Sequence, residues 1–201
     1  MDETNFLLKS SGVTDVGIKK IEEFLNMMSY QESDHRNISQ TTGGPGRGYY
    51  QMETGHDAGG YTILTNSYKG LPKSLTPDWM VNEKTKMALQ GKRDFDATVL
   101  TEDQQSYVLM GWILHGKDEQ SSAARTDFYN MLKDSNKLKQ SDVRDWLIKH
   151  WNISPEGERR DSRLKEWDHK FENYQPKDKN YYDSADVMMQ QMINEDNPLR
   201  V

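Results

Sequence analysis

Between Tyr30 and Glu53 the chain reads Tyr-Gln-Glu-Ser-Asp-His-Arg-Asn-Ile-Ser-Gln-Thr-Thr-Gly-Gly-Pro-Gly-Arg-Gly-Tyr-Tyr-Gln-Met-Glu. A carboxylic acid, Glu32, is followed by a polar, glycine-rich stretch and then by an aromatic pair and an amide, Tyr49, Tyr50 and Gln51. Cleavage of a glycosidic bond needs a carboxylic acid that protonates the leaving oxygen. A glutamate does so at neutral pH when burial beside apolar groups disfavours its charged form. Tyr30 and Met28 are placed to supply such an apolar wall for Glu32. Glycines let the backbone approach a sugar closely. Tyr49 and Tyr50 offer stacking faces and hydroxyls, and Gln51 offers an amide that donates and accepts. The same residues also fit a plain helix terminus followed by a loop. For a second carboxylate, Asp34, Glu53 and Asp57 are near in sequence, but Asp34 suits a turn or cap and Glu53 a solvated position, so none is assigned.

Other chemistries find little support. Gly44 to Gly48 is followed by no Gly-Lys-Ser/Thr and cannot be written as a dinucleotide fingerprint, so neither phosphate motif is present. The histidines, His35, His56, His115, His150 and His169, are scattered, form no His-Glu-x-x-His pair and read as lone surface residues. No metal site and no cofactor are expected. With no cysteine, disulfides and thiolate metal sites are excluded.

The elements that would position Glu32 are helical. Ile18, Ile21, Leu25 and Met28 repeat at three and four, which predicts a helix over 14–31 with Thr14 as N-cap, running directly into Gln31, Glu32 and Ser33. Over 37–60 glycines accumulate (Gly43, Gly44, Gly46, Gly48, Gly55, Gly59 and Gly60, with Gly70 further on), which predicts loops and tight backbone approaches. A short strand or hairpin is expected at Gly48 to Met52, where Tyr49 and Tyr50 favour extended backbone. Trp79, Met80, Glu83 and Met87 predict a helix ending by Gly91. Thr101 to Gln104 has capping-box spacing ahead of Val108, Leu109, Trp112 and Ile113. Further helices are expected over 121–133, from an Asp142 cap through Val143, Trp146, Leu147 and Trp151, and from Pro155 with Leu164, Trp167 and Phe171 on one face. Trp112, Trp146, Trp151 and Trp167 read as helical core.

From Tyr174 the composition shifts. Residues 175–201 read as a linker and a short Met-rich helix over 184–194, whose Val187, Met188, Met192 and Ile193 form an apolar stripe. So short a helix is marginal alone. It is expected to dock on another protein or a second copy, or to fold back on its own core. The expected division is a mostly α domain over 1–174 and this tail.

The chain is polar: 34% of its 201 residues are hydrophobic, with a mean hydropathy of −0.98. Five Trp, ten Tyr and eleven Met offset this, because large side chains bury much area each. The net charge of −6 argues against general nucleic-acid binding, and the run of Arg159, Arg160, Arg163 and Lys165 reads as a solvated helix face. The N-terminus starts acidic, with Phe6, Leu7 and Leu8 as its apolar cluster. A signal peptide needs a basic start and a run of ~7–15 apolar residues, and a membrane span ~18 or more. Synthesis in the cytosol without an export signal, and no membrane span, are therefore expected.

Glu32-Ser33, then Gly44-Pro-Gly-Arg-Gly48, then Tyr49-Tyr50-Gln51 resembles the lytic transglycosylase pattern of Glu-Ser, a Gly-Ala-x-Gly turn and Leu-Met-Gln. It is more similar still to a variant common in bacteriophage proteins, Gly-Pro-x-Arg-Gly followed by an aromatic, Gln, a large apolar residue and Glu, which here runs from Gly44 to Glu53. The resemblance implies a lysozyme-like fold of the soluble lytic transglycosylase type, with a small hairpin or loop at the active site. It implies bacterial peptidoglycan as substrate and a single catalytic glutamate, acid first and then base toward the sugar's own 6-hydroxyl, leaving a 1,6-anhydro product. Glu32 takes that role, Ser33 the supporting position beside it, and Gly48, Tyr49, Tyr50 and Gln51 the turn and substrate contacts. The chain departs from the bacterial pattern in three places. Gln51 follows Glu32 by 19 residues, slightly more than usual; Tyr-Tyr replaces Leu-Met; and no later Ala-Tyr-Asn-Ala-Gly segment is found. The phage-like motif implies a virion protein acting on the host cell wall during genome ejection, in contact with other virion proteins. A late lysis enzyme, or a virion component whose lysozyme-like domain is inactive, are the alternatives.

Overall fold

Thr14 caps the helix that carries Glu32: its extended backbone and side-chain oxygen meet the amide of Gly17, and the helix runs from Asp15 to Ser33. The expected N-cap and the 18-21-25-28 stripe are both found, with Ile18, Ile21, Leu25 and Met28 buried. The helix runs past the expected end at Gln31 and takes in Glu32 and Ser33, so the glutamate lies in its last turn, not beyond it.

The computed structural model describes residues 3–39, 46–54, 59–81, 95–133, 138–151 and 158–174. Seven α-helices occur among these: α1 (Glu3–Ser10), α2 (Asp15–Ser33), α3 (Gly59–Gly70), α4 (Glu102–His115), α5 (Glu119–Lys133), α6 (Gln140–His150) and α7 (Glu158–Glu172). Strands β1 (Gly46–Arg47) and β2 (Met52–Glu53) pair antiparallel, with Gly46 opposite Glu53 and Arg47 opposite Met52. The protein is thus mostly α, with one two-stranded hairpin among the described residues.

Helix α4 is the central element. Thr101 and Gln104 form the expected capping box, each side chain bonding the other's backbone amide. Every residue from Gln105 to Leu114 is buried, so this helix is enclosed by neighbours instead of showing them one stripe. It packs against α3, α1 and α5. Gly111 permits the α3 contact: a Cβ there would lie 2.2 Å from the Ser67 hydroxyl. On the other side α6 packs against α2 and α5, where Phe24, Phe128 and Trp146 meet edge to face with centroids 5.0 to 6.1 Å apart. Trp112, Trp146 and Trp167 are buried as expected, and Trp151 is half-buried against Trp112.

Several expectations are corrected. Helices α1 and α3 were not legible as such. Helix α6 begins at Gln140 with Lys139 as cap, and Asp142 sits inside its first turn. The turn of helix expected from Trp79 is a short 3-10 segment at Asp78–Val81 within the described residues; the remainder of that prediction lies outside them, as do Pro155 and the Met-rich segment 184–194. The side chains of Arg159, Arg160 and Arg163 lie outside the description too, while Lys165 is exposed. Among the described residues no helix is long and apolar enough to cross a membrane.

Candidate functional site

Helix α2 does not fray at its end; it is stopped. Asp34, its C-cap, has φ 52 and His35 follows at φ 59. With Gln51 at φ 48, these are the positive-φ non-glycine residues of the described chain, and all three flank the Glu32 segment or the hairpin. Left-handed backbone at such residues is disfavoured by ~1–3 kcal/mol and persists where neighbours enforce it. The neighbours here are identifiable. The Asp34 and His35 amides donate back to Tyr30 and Ser29 carbonyls. His35 Nδ1 lies 3.0 Å from Ser29 Oγ, and its ring packs on Tyr30. The Asp34 carboxylate pairs with Arg36 at 3.3 Å and with Lys170 of α7 at 3.4 Å. Lys170 also donates to the Gln31 carbonyl at 3.1 Å, a cation at the carbonyl end of a helix.

Glu32 sits within this stopped turn. It is half-buried, and its Oε1 is shielded from solvent. Its neighbours Gln31 and Ser33 are buried. Gln31 Oε1 has no hydrogen-bond partner among the described residues, and buried polar atoms are seldom left so. Met28 is in the core, and Tyr30 is half-buried against Tyr174 and His35.

The Ser33 hydroxyl links the helix to the hairpin. It donates to the Tyr49 carbonyl at 2.8 Å, with Ser29 O at 3.1 Å as a second acceptor, and accepts from the Arg36 amide at 3.1 Å. The residue after Glu32 is therefore one hydrogen bond from the glycine turn. That turn, Gly48 to Gln51, connects β1 to β2 and is held by four parts of the fold. The Gly48 amide donates to Ile38 O at 2.9 Å. The Tyr49 amide donates to Gln105 Oε1 of α4 at 2.9 Å. The Tyr50 carbonyl accepts from Trp151 Nε1 at 3.1 Å. Gln51 Nε2 donates to Ile38 O at 3.0 Å and to Gly48 O at 2.8 Å. Gly48 has φ 78, and a Cβ on it would lie 2.3 Å from Gln105 Oε1. Both its conformation and its surroundings demand glycine.

Glu32, Ser33, Gly48, Tyr49 and Gln51 are thus brought into one neighbourhood by hydrogen bonds or by adjacency in the chain, but their roles divide differently from expectation. Tyr49 and Tyr50 are not strand residues: they form the turn itself, because left-handed backbone at Gly48 and Gln51 closes the chain there. Tyr50 is a correction. It is 1% exposed, shares a hydrogen bond of 2.7 Å between its hydroxyl and Ser106 Oγ, and offers no ring face to a ligand in this conformation. Burial, then the nearby Glu102 charge, pushes its phenol far above the usual range. Ser33 is buried too and acts on the Tyr49 backbone. The Gln51 amide donors hold the turn together. Tyr49 is the half-buried member of the aromatic pair. Gln105, Asn37 and Trp151 belong to the site's frame and carry no local sequence signal of it.

Two histidines expected at the surface are buried. His35 is described above. His150 Nε2 bonds Asp127 Oδ2 at 2.7 Å, and Lys149 Nζ reaches the same oxygen at 2.6 Å, tying α6 to α5. Bonds from Lys149 and then His150 hold the Asp127 carboxyl below the usual carboxylate range. His115 Nε2 lies 2.8 Å from Ser11 Oγ; burial, then Arg125, lowers its pKa. His169 is exposed and His56 lies outside the described residues. Among the described residues no group of three or more His, Asp or Glu is arranged to hold a metal ion. Glu53 is exposed, and Asp57 is outside the description. No protein-family model, curated protein or solved structure matches the chain.

Proposed function

We propose that the protein is a peptidoglycan-cleaving lytic transglycosylase with a lysozyme-like fold, carried in a bacteriophage virion, and that Glu32 is its acid and base. The observation that carries this reading is the pinned seat of Glu32. A half-buried carboxylate lies in a helix turn stopped by two left-handed residues, and its neighbour Ser33 is bonded to a glycine turn that three other elements also hold. Pre-organisation of this kind is what a single-carboxylate mechanism requires, since the one group must serve both halves of the reaction. Glu32 first gives its proton to the glycosidic oxygen. The C1–O bond to that oxygen breaks and the glucosamine leaves as its alcohol; Glu32 then removes the proton from the muramic acid's own 6-hydroxyl as the 6-oxygen bonds to C1, and the 1,6-anhydro ring closes without water. Tyr49, the half-buried member of the aromatic pair, contributes a ring face. Peptidoglycan digestion by purified protein, with release of anhydro-muropeptides, tests the reading; Glu32→Gln abolishes that release.

The second reading is a structural virion component that keeps the fold without cleavage. Its specific support is that Tyr50 is withdrawn into the core and both Gln51 donor bonds are internal, which leaves fewer ligand contacts than the motif implies. Intact melting with no digestion by the wild-type protein selects it.

A further inference from the structure

The glycine turn is held on its far side by a residue 73 positions from Glu32, Gln105. Gln105 lies in the first turns of α4 and is 0% exposed. Its Oε1 accepts the Tyr49 amide at 2.9 Å. Its Nε2 faces three acceptors: Asn37 Oδ1 at 3.1 Å, Ala97 O at 2.9 Å and Leu100 O at 3.0 Å. Asn37 in turn donates to Thr98 O at 3.1 Å. One buried amide thus joins α4 to the segment after α2, to the 97–100 turn and to the hairpin turn. A side chain of similar size without polar atoms would fill the space but take away the Tyr49 N–H's acceptor and one donor from each of Asn37 Oδ1, Ala97 O and Leu100 O.

We propose that Gln105 is the positioning residue of the site. The two peptide groups that flank Tyr49 are each held by a buried side chain, the Tyr49 N–H by Gln105 of α4 and the Tyr49 C=O by Ser33 of α2. Ser33 is adjacent to Glu32, so the two bonds together set where Tyr49 stands relative to the acid. Gln105 also sets how low the turn can sit. Its carboxamide is the surface against which Gly48 rests, and any side chain at 48 would collide with it. Gln105 touches no reacting atom; it acts through the Tyr49 backbone. This role rests on the glycan-cleaving reading above.

The test compares Gln105→Met, of similar length but without the amide, and Gln105→Asn, which keeps the amide and draws it back by one methylene. A third variant, Phe128→Leu, in the α5 core against Phe24 and Trp146, serves as a control for stability lost while the hydrogen bonds of the turn are kept. Melting temperature, Tyr49 amide exchange and muropeptide release are measured for each, well below the melting transition. The expected result is faster Tyr49 exchange and a kcat lowered on the order of 10–100-fold in the Gln105 variants, as sub-ångström to ångström misplacement produces. Phe128→Leu keeps a wild-type kcat. Should Gln105→Met fail to fold, Gln105→Asn carries the comparison. Gln105 variants whose kcat stays within about twofold of Phe128→Leu overturn the proposal, because the change in transition-state stabilisation is then negligible. Wild-type protein that releases no muropeptides is a different failure: the glycan reading falls, and the positioning role falls with it, without any variant being needed.

Discussion

Two glycines of this chain share a backbone conformation but not an environment, and substituting each by alanine separates the two effects. Gly12 has φ 81 and Gly48 φ 78. A Cβ on Gly12 meets nothing within 4 Å, whereas one on Gly48 lies 2.3, 2.8 and 2.9 Å from Oε1, Cδ and Nε2 of Gln105. Gly12→Ala therefore carries the left-handed backbone term alone, ~1–2 kcal/mol. Gly48→Ala carries the same term and must also displace Gln105. That carboxamide is no flexible end, since it holds Tyr49, Asn37, Ala97 and Leu100. Losing its bond to the Tyr49 amide, or overpacking against it, adds ~1–3 kcal/mol. The expected totals are ~1–2 kcal/mol for Gly12→Ala and ~2–5 kcal/mol for Gly48→Ala. Urea unfolding of both variants beside wild type measures them, with unchanged m-values as the check on two-state behaviour. Equal destabilisation of the two variants, within ~0.5 kcal/mol, would refute the claim that Gln105 is a rigid floor for the turn.

Tyr50→Phe should lower stability by ~1–1.5 kcal/mol, the worth of one buried neutral hydrogen bond; a neutral or stabilising result would show that the Ser106 contact does not hold the turn. Acidification should weaken the fold in two windows. His115 has a lowered folded pKa, so the stability tied to its neutral form is complete above the ordinary imidazole value of ~6.5 and falls as pH drops below it. Asp127 is also lowered, so its contribution is present above the ordinary carboxylate value of ~3.9 and is lost as pH falls through its folded value. In melts from pH 8 to pH 3, His115→Gln should flatten the first window and Asp127→Asn the second; unaltered slopes in both variants would contradict the assignments.

The helix bearing Glu32 was legible because its signals are local. Thr14 offers its oxygen to an amide three residues on, and four apolar residues recur on one face. The Thr101 capping box is local in the same sense. Helix α3 was not legible: Gly-Gly-Tyr-Thr-Ile-Leu-Thr-Asn-Ser-Tyr-Lys-Gly has three glycines and two β-branched threonines, poor helix formers, and becomes helical by packing on α4. Tyr49 and Tyr50 suggested a strand by propensity, yet the chain reverses there, because the left-handed backbone at Gln51 is imposed by bonds to Ile38 and Gly48 and not announced by residue type. The glutamate, the serine and the glycine turn of the candidate site were visible as a pattern. Which of them contact a ligand was not, since the burial of Tyr50 depends on Ser106, and the place of Tyr49 on Gln105, both more than fifty residues away.

The most direct measurement is digestion of purified peptidoglycan by wild-type protein and by Glu32→Gln, with the soluble products resolved by mass spectrometry. Wild type is expected to release muropeptides ending in 1,6-anhydromuramic acid, lighter than hydrolysed ends by one water (about 18 Da) because no water is added. Release by a folded Glu32→Gln variant is expected to fall by about three orders of magnitude or more, a loss of ~4 kcal/mol of transition-state stabilisation. Equal release by the two proteins, or no release by wild type, would contradict the proposed function.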